Sequence, residues 1–301
     1  MSHLIAARSS WFLAGCLAIQ LLASPQSVSA EDWKYPLGVA KDKEGRVLLA
    51  DRTFHGVLAL KDGQLTPLYQ GSNKFRTPLN AVYPIHAAAD GTIYVGDSAT
   101  REVYALSPDG KLTALTSGRG SDVPKEEYHP GKIGLPTQIA TNSQGDIFAT
   151  DLELQRVWKI PKGGGEPAEF AVLAGPRGVA VDAEGNVLIL TSQAPQLRRF
   201  APDGKQTQVV VADLKFEFPH QVIVRPDGEA LVSDGYAKTI WKVSKDGVVE
   251  KLFSGDPLVN PVGVAFSGEG ESILVIDPRA PGLFEIQKTG EIKKLYPPAS
   301  P

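Results

Sequence analysis

GPRGVAVDAEGNVLILTSQAPQLRRFAPDG, residues 175–204, decides the fold of this chain. It contains two short apolar strands (179–181 and 187–190) joined by a tight turn that ends at Gly185. A loop, a third strand (197–200) and a second tight turn (202–204) follow. Short apolar runs that alternate with glycine turns predict antiparallel β-hairpins.

The same pattern recurs six times along the chain. The copies begin at or near a proline: Pro36, Pro84, Pro136, Pro176, Pro219 and Pro261. Their first turns carry Gly45, Gly91, Gly145, Gly185, Gly228 and Gly270, and their second turns carry Gly63, Gly110, Gly163, Gly204, Gly247 and Gly290. A tight hairpin turn requires positive φ, which glycine adopts without a steric penalty. The repeated glycines therefore predict a series of similar hairpin pairs.

Copies three to six begin 40, 43 and 42 residues apart. Four strands in some forty residues is the period of a propeller blade. We therefore predict an all-β fold, a six-bladed β-propeller of four-stranded antiparallel blades. The alternative is an open β-solenoid, whose repeats are usually shorter.

The register of the second copy stays open at this point. Counting back from Gly91 puts Val82 where the other copies have proline. Aligning Pro84 instead requires a first turn that is two residues shorter.

Three segments carry a family resemblance: GVAVDAEGNVL (178–188), PVGVAF (261–266) and DSATREVY (97–104). They resemble NHL repeats, and the resemblance covers residues 36–296. It implies a six-bladed propeller related to the SMP-30/gluconolactonase-like and streptogramin-lyase-like propellers. That group includes binding scaffolds, lyases and relatives of the lactonases, so the fold does not choose among these functions.

The first thirty residues are typical of a secretory signal peptide. Arg8 precedes an apolar core (11–23), and small residues at 28–30 form a cleavage site before Glu31. A lipobox that ends at Cys16 is the competing interpretation, but too little apolar sequence precedes it. We expect cleavage, a propeller over residues 31–301, export to the periplasm or the extracellular space, and no membrane span afterwards. Cys16 is the only cysteine, so the exported product would have none.

The composition limits the class of partner. A formal net charge of −3 and the absence of a clustered Lys/Arg run argue against a nucleic-acid binder. We expect a monomer whose partner is a protein, a peptide, a glycan or a small molecule.

Blade geometry divides the disc into two faces. The glycine turns join strands one to two and three to four of each blade, so all of them lie on one side, the tight-turn face. The other connections lie on the opposite side, the loop face. Since loops held by a rigid scaffold often carry function, we expect the site on the loop face and none on the tight-turn face.

The residues that enter each inner strand from the loop face surround the central channel. In copies three to five they are polar, and they form an arc of Gln138, Arg177, His220 and Gln221. His86 joins the arc only if Pro84 begins copy two; otherwise it lies deeper, where other copies have alanine. We assign all five residues to ligand binding and His220 also to catalysis.

Each of these residues has a structural alternative. His220 could act as a general base or be a hydrogen-bonded channel residue. Arg177 could bind a carboxylate or a phosphate, or could form a salt bridge to a neighbouring blade. Gln138 and Gln221 could orient a ligand or satisfy strand ends.

Aspartates recur at the end of the second strand of five copies: Asp51, Asp97, Asp151, Asp234 and Asp277. Their strict periodicity predicts a structural role, in which each carboxylate accepts backbone N–H groups of the following loop. Trp158 and Trp241 occupy matching places in third strands, so we expect them to pack between blades.

We favour a binding or scaffold module that uses the loop face, and keep a lyase or a lactone hydrolase at the channel mouth as the alternative. Lactonases that resemble this fold hold a divalent metal through Glu, Asn and Asp, whereas the rim positions here contain no carboxylate. We therefore assign no metal site and leave the cofactor unknown; the lactonase alternative would bring a divalent cation. A streptogramin-lyase-like reaction would need an acidic partner near His220, and Glu217 is the candidate.

Overall fold

The computed structural model describes residues 33–116, 133–268 and 272–297. The predicted signal peptide, Gly270 and residues 117–132 of a long connection lie outside these ranges. Within them the chain forms 24 strands in six four-stranded antiparallel sheets, which confirms the predicted six-bladed propeller. In these ranges no helix has the length and apolar character needed to cross a membrane.

Each blade uses four consecutive strands, ordered from the channel outward. The first two blades contain β1 (Pro36–Lys41), β2 (Val47–Asp51), β3 (Gly56–Lys61), β4 (Gln64–Gln70), β5 (Val82–Ala87), β6 (Ile93–Asp97), β7 (Glu102–Leu106) and β8 (Leu112–Ala114). The third and fourth contain β9 (Pro136–Thr141), β10 (Ile147–Asp151), β11 (Arg156–Ile160), β12 (Ala168–Val172), β13 (Pro176–Val181), β14 (Val187–Thr191), β15 (Leu197–Phe200) and β16 (Gln206–Val211). The last two contain β17 (Pro219–Val224), β18 (Ala230–Asp234), β19 (Thr239–Val243), β20 (Val249–Ser254), β21 (Gly263–Phe266), β22 (Ser272–Asp277), β23 (Gly282–Gln287) and β24 (Ile292–Tyr296).

Over the described residues the ring closes without exchange of a strand. Each inner strand contacts the inner strand of the next blade, and β21 contacts β1. All six sheets are complete on their own, so the lead-in from Trp33 to β1 adds no strand to the last blade. Instead Trp33 stacks on Tyr296 of the outermost strand of blade six, with ring centroids 4.8 Å apart and planes at 9°.

Hydrophobic clusters fill the interfaces between neighbouring blades. Trp158 lies in the cluster between blades two and three, and Trp241 packs against the cluster between blades four and five. Both confirm the prediction that these indoles pack between blades. Burial of apolar side chains between sheets supplies the main stabilisation of such a ring.

The two faces differ as the chain direction requires. Among the predicted turn glycines that the structure describes, all have positive φ, for example 84° at Gly185. Gly185 lies beyond the end of β13, whereas His220 is the second residue of β17, so the two residues lie on opposite faces. The assignment of tight turns and loops to separate faces is therefore confirmed.

The periodic aspartates are structural. Asp51, Asp97, Asp151, Asp234 and Asp277 are fully buried, and their carboxylates accept backbone N–H groups. Asp234 accepts from Glu217 and Phe218, which lead into β17, and from Ala237 in the following loop. The predicted role is confirmed and extends to the segment that precedes each inner strand.

Blade four departs from this pattern. Thr191 takes the place of aspartate, and its hydroxyl donates to the carbonyls of Gln193 and Pro195. The buried Gln196 instead accepts the N–H groups of Lys215 and Phe216. In blade four a neutral amide thus accepts the backbone N–H groups that a carboxylate accepts in the other blades.

Candidate functional site at the loop-face mouth

The register of the inner strands fixes which residues surround the mouth. Pro36, Val82, Pro136, Pro176 and Pro219 each pair with the last residue of the second strand in their blade. In blade six the corresponding residue is Pro261. The residue after each of these six lies at the rim of the channel: Leu37, Tyr83, Thr137, Arg177, His220 and Val262.

Val82 therefore begins copy two, and the alignment that starts it at Pro84 is wrong. Tyr83 takes the rim position, and His86 lies three residues deeper, where it pairs with Tyr94. The structure places Arg177 and His220 together but does not bring His86 to them. The physical reason is that the first turn of copy two keeps its full length, so the register cannot slip by two residues.

Arg177 is a cation at the mouth that has no counterion among the described residues. Its guanidinium carbon lies 4.6 Å from the centre of the Phe218 ring. Its Nε is buried and has no hydrogen-bond partner in the same ranges. The salt bridge considered as its structural alternative does not form within the described part of the chain. Arg177 can therefore bind an anion without first breaking an ion pair.

His220 lies beside Arg177 and is 9% exposed. Its ring meets Phe218 edge-on at 5.0 Å, and neither ring nitrogen has a hydrogen-bond partner of ordinary geometry in the described ranges. Burial lowers the pKa of His220 to about 4, and Arg177 acts in the same direction; Asp234 and Asn260 raise it by less. The imidazole is therefore neutral at neutral pH, with one ring nitrogen as a donor and the other as an acceptor.

Gly235 makes room for this ring. A Cβ atom at Gly235 would lie 2.8 Å from His220 Nε2 and would also collide with Asn260 Oδ1. Such a distance is too short for an ordinary contact, so a side chain at this position would displace His220 or Asn260.

Aromatic rings border the same mouth. Phe218 stacks on Tyr236 at 4.6 Å and 18°, and Tyr236 is 64% exposed. On the other side burial raises the pKa of Tyr83 to about 12; the Arg177 charge lowers it and Tyr35 raises it. Among the described residues the mouth thus combines an unpaired cation, a neutral imidazole and a protonated phenol. This combination suits an anion attached to a flat or apolar group.

Gln138 and Gln221 lie below the mouth and join the blades. Gln138 Oε1 accepts the N–H groups of Val179 and Val222 at 3.0 Å, and its Nε2 donates to the Val222 carbonyl at 2.7 Å. Gln221 Oε1 accepts the N–H of Val264 at 3.0 Å. These bonds match the structural alternative in that the amides satisfy backbone groups, but Val179 and Val222 lie inside the inner strands rather than at their ends. The side chain of Gln138 therefore crosses the channel from blade three to blade five.

The channel widens again beyond this layer. A cavity of about 420 Å³ opens toward the tight-turn face, and His86 lies in its wall with Nε2 2.9 Å from Thr141 Oγ1. The repeat pattern alone predicted no site on that face.

Comparison with known proteins places this architecture in a family. The sequence model of the SMP-30/Gluconolactonase/LRE-like region matches residues 20–220. The chain belongs to this family. The match confirms the resemblance drawn from the repeat segments.

The curated relatives of this SMP-30/gluconolactonase-like chain are much longer proteins. Peptidyl-glycine alpha-amidating monooxygenases A and B of Xenopus laevis are each 24% identical, over 231 and 230 residues, which are 69% of this chain. The chain spans about a quarter of the length of those relatives, 24% and 26%.

Solved propellers share the fold at low identity. Virginiamycin B lyase from Staphylococcus aureus is 14% identical with a TM-score of 0.64, over 92% of this chain and 89% of that one. A gluconolactonase from Xanthomonas campestris is 15% identical with a TM-score of 0.67, over 91% of each chain. A chain of the nidogen/laminin complex is 16% identical with a TM-score of 0.66, over 87% and 93%. At these identities the likeness is one of fold.

The mouth of this SMP-30/gluconolactonase-like chain does not fit a hard divalent cation. Such ions take several oxygen ligands, mostly carboxylates. The rim offers hydroxyls, a guanidinium and an imidazole, and no group of three His, Cys, Asp or Glu residues in the described ranges could hold a metal. Asp234, the carboxylate whose charge raises the pKa of His220, already accepts hydrogen bonds from backbone N–H groups and from Trp241 Nε1.

Sequence reasoning missed the aromatic border, although a signal was present. Tyr35, Phe218 and Asn260 each stand immediately before the proline that begins a copy. A count that starts at the proline passes over them. Tyr83 was hidden by the open register of copy two.

Proposed function

We propose that this propeller is a binding module that takes a monoanionic ligand, a carboxylate joined to an aromatic or apolar group, at the loop-face mouth. The observation that carries the proposal is Arg177, a partly buried cation without a counterion in the described part of the chain. A buried charge without a partner is costly, so a bound anion would be stabilised by it. The planar guanidinium matches the two oxygens of a carboxylate.

The charge of the site supports a single negative charge on the ligand. His220 is neutral at neutral pH, because burial holds its pKa near 4, so its ring N–H can donate a hydrogen bond to the carboxylate without adding a second positive charge. The exposed ring of Tyr236 and its stacked partner Phe218 supply a flat surface for the rest of the ligand. The curated relatives are named for peptidyl-glycine, which ends in a carboxylate of this kind. We extend the proposal to peptide C-termini on that ground.

Catalysis by His220 is the second candidate, as a lyase or a lactone hydrolase. It is favoured by one observation, the neutral imidazole whose nitrogens make no hydrogen bond of ordinary geometry in the described ranges. A base alone is a weak catalyst, and an acidic partner is missing from these ranges: Glu217 is exposed, and Asp234 is held by the backbone. We therefore place binding first. We also propose export of the mature chain, which rests on the composition of residues 1–30.

Calorimetric titration with N-benzoylglycine and with its neutral amide tests the proposal. The acid should bind, and the amide should bind at least about tenfold more weakly, because it carries no charge for Arg177. Arg177→Gln should lose about tenfold or more of the affinity for the acid. Arg279→Gln is the matched control, since it removes the same charge from an exposed residue on the same face.

Equal binding of acid and amide, or full affinity in Arg177→Gln, would refute the charge-based proposal. Mass spectrometry of the titrated sample separates the two candidates. Conversion of N-benzoylglycine that stops in His220→Gln would move catalysis to first place, whereas an unchanged probe keeps binding there.

A further inference from the structure

The channel has a second chamber whose walls differ from those of the mouth. The inner strands surround this cavity of about 420 Å³ from the level of Gln138 to the tight-turn face. Arg177 and His220 do not contribute to its walls. The proposed function leaves the chamber without a role.

Most of the chamber wall is apolar. A first ring consists of Val39, Ile85, Ile139, Val179, Val222 and Val264, and a second ring contains Ala40, Ala140, Ala180 and Ala265. Small side chains in the second ring keep the space open. In copy two the register puts His86 at the level of those alanines. Its imidazole is therefore a polar group in an otherwise apolar part of the wall.

His86 and Thr141 form a hydrogen-bonding pair in this wall. His86 Nε2 lies 2.9 Å from Thr141 Oγ1, and Nδ1 makes no hydrogen bond to the described residues. Burial lowers the pKa of His86 to about 4, so the ring is neutral at neutral pH. It can donate or accept one further hydrogen bond according to its tautomer.

The charged residues of the wall, Lys41 and Asp42, lie at its tight-turn end. Asp42 forms an ion pair with Arg46 at 2.7 Å, and Lys41 donates to the Ser267 carbonyl. Within the described part of the chain, the two rings between Gln138 and this end carry no charged side chain, whereas Lys41 itself has no carboxylate partner. An ion that entered the space between the two rings would lose its hydration without gaining a counterion there.

We propose that this chamber is a second binding site, for a neutral and largely apolar molecule with one hydrogen-bonding group that meets His86 and Thr141. Pockets for drug-sized ligands span roughly 300–1,000 Å³, so the volume suits a molecule of two or three rings. The crossing side chain of Gln138 separates the chamber from the mouth. The site is therefore independent of the proposed function.

N-phenyl-1-naphthylamine, a neutral dye with one N–H group that fluoresces in apolar surroundings, is a suitable probe. Its anionic counterpart 8-anilino-1-naphthalenesulfonate has the same skeleton and tests the charge preference. We expect saturable binding of the neutral dye to the mature protein, at least about tenfold tighter than that of the sulfonate. Equal or tighter binding of the sulfonate would overturn the proposal, as would the absence of saturable binding.

Two variants locate the bound dye. Ala265→Phe and Ala87→Phe each put a large ring into the chamber from a half-buried position, so either remains usable if the other fails to fold. Both should lower the affinity for the neutral dye at least about tenfold. Ala168→Phe, on the exposed outer strand β12, is the matched control and should leave it unchanged. Full affinity in the folded chamber variants would overturn the proposal.

The polar pair has its own readout. His86→Leu keeps the chamber apolar and removes the ring, so the dye should bind about fivefold more weakly, the equivalent of one hydrogen bond. Arg177→Gln should leave dye binding unchanged, because the mouth lies on the other side of Gln138. A loss in Arg177→Gln together with full binding in His86→Leu would place the dye at the mouth and refute the second site.

Discussion

His220 is buried and His86 is half-buried; both are neutral rings in one channel, and both affect the stability of the fold. In each case burial lowers the pKa from 6.5 to about 4. Between pH 4 and pH 6.5 the unfolded chain therefore binds protons at these two histidines, whereas the folded chain does not. The stability that the two neutral rings contribute to the folded state is fully present above pH 6.5. It declines as the pH falls toward 4 and does not decline further below that.

This linkage predicts a measurable loss of stability in mild acid. The free energy of unfolding should fall by up to about 2 kcal/mol per histidine between pH 7 and about pH 5, since each pH unit in this window corresponds to about 1.4 kcal/mol. Urea unfolding at the two pH values measures it. The His86→Gln and His220→Gln double variant lacks both titrations, so its loss should be smaller than that of the wild type. An equal loss in both proteins would show that the rings titrate normally.

Single residues at the mouth were only partly predictable. Arg177 and His220 follow directly from a count after the repeated proline, because rim positions recur with the blade. That Arg177 lacks a counterion among the described residues could not be predicted, since this depends on side chains from several blades. The surroundings of His220 likewise depend on how Gly235 and Asn260 pack around the ring.

At the scale of the element, the buried aspartate of each blade fixes both flanking loops. In blade five Asp234 binds the backbone before β17 and after β18, and also Trp241 Nε1 at 3.2 Å. The segment that it holds carries Phe218 and leads directly to His220. One buried carboxylate thus positions part of the mouth.

Asp234→Ala should therefore destabilise the protein and weaken the site together. Several donors would lose a charged acceptor, at about 1–3 kcal/mol each, so we expect a loss of about 4 kcal/mol or more in urea unfolding. Binding of N-benzoylglycine to the folded variant should also weaken. Asp227→Ala is the control: this exposed aspartate accepts one backbone N–H in a tight turn, and its loss should cost less than about 1 kcal/mol. A normal mouth in Asp234→Ala would contradict the positioning role.

The blades could be predicted well from the sequence because each demand is local. Positive φ in a hairpin turn requires glycine, and loop amides require a nearby acceptor, so both recur with the blade. The register of blade two was not decidable locally, since Val82 and Pro84 both suit a strand start. Only the pairing of Val82 with Asp97 decides it. The replacement of aspartate by Gln196 in blade four also escaped prediction, because it comes from a different part of the blade.

For the whole molecule, the channel is divided by the Gln138 layer into two chambers of different chemistry. Among the described residues, the loop-face mouth has an unpaired cation and aromatic rings, whereas the other chamber is apolar with a neutral polar pair. The loop face also carries exposed apolar side chains, among them Phe75, Leu214, Tyr236 and Val259. Of these, Tyr236 adjoins the mouth through its stack on Phe218, whereas apolar side chains that are exposed singly are normal on a protein surface.

Closure of the ring is the property that only the whole molecule shows. In the described ranges no strand is shared between blades six and one, so their contact depends on side chains. Trp33 and Tyr296 stack at this junction, and Phe54, Leu274 and Leu283 belong to the same buried cluster. The lead-in segment before β1 therefore packs against the last blade through its side chains and stabilises the junction of blades six and one.

Trp33→Ala should weaken the closure of the ring. Removing a buried indole from a core costs about 3–5 kcal/mol, and we expect a loss of this size in urea unfolding. Hydrogen exchange should then rise first in blades one and six, because their shared cluster loses its stacked pair. Trp33→Phe should cost less than about 1.5 kcal/mol, since the indole Nε1 has no hydrogen-bond partner among the described residues and a ring remains to stack on Tyr296.

Phe75→Ala is the matched control for this prediction. Phe75 is 74% exposed, so the loss of its ring should change the free energy of unfolding by less than about 0.5 kcal/mol. A Trp33→Ala protein as stable as this control would mean that the inner strands β1 and β21 close the ring without help from the lead-in segment. Exchange that rises evenly over all blades would instead mean that the ring opens as one cooperative unit, with no weak point at the junction of blades six and one.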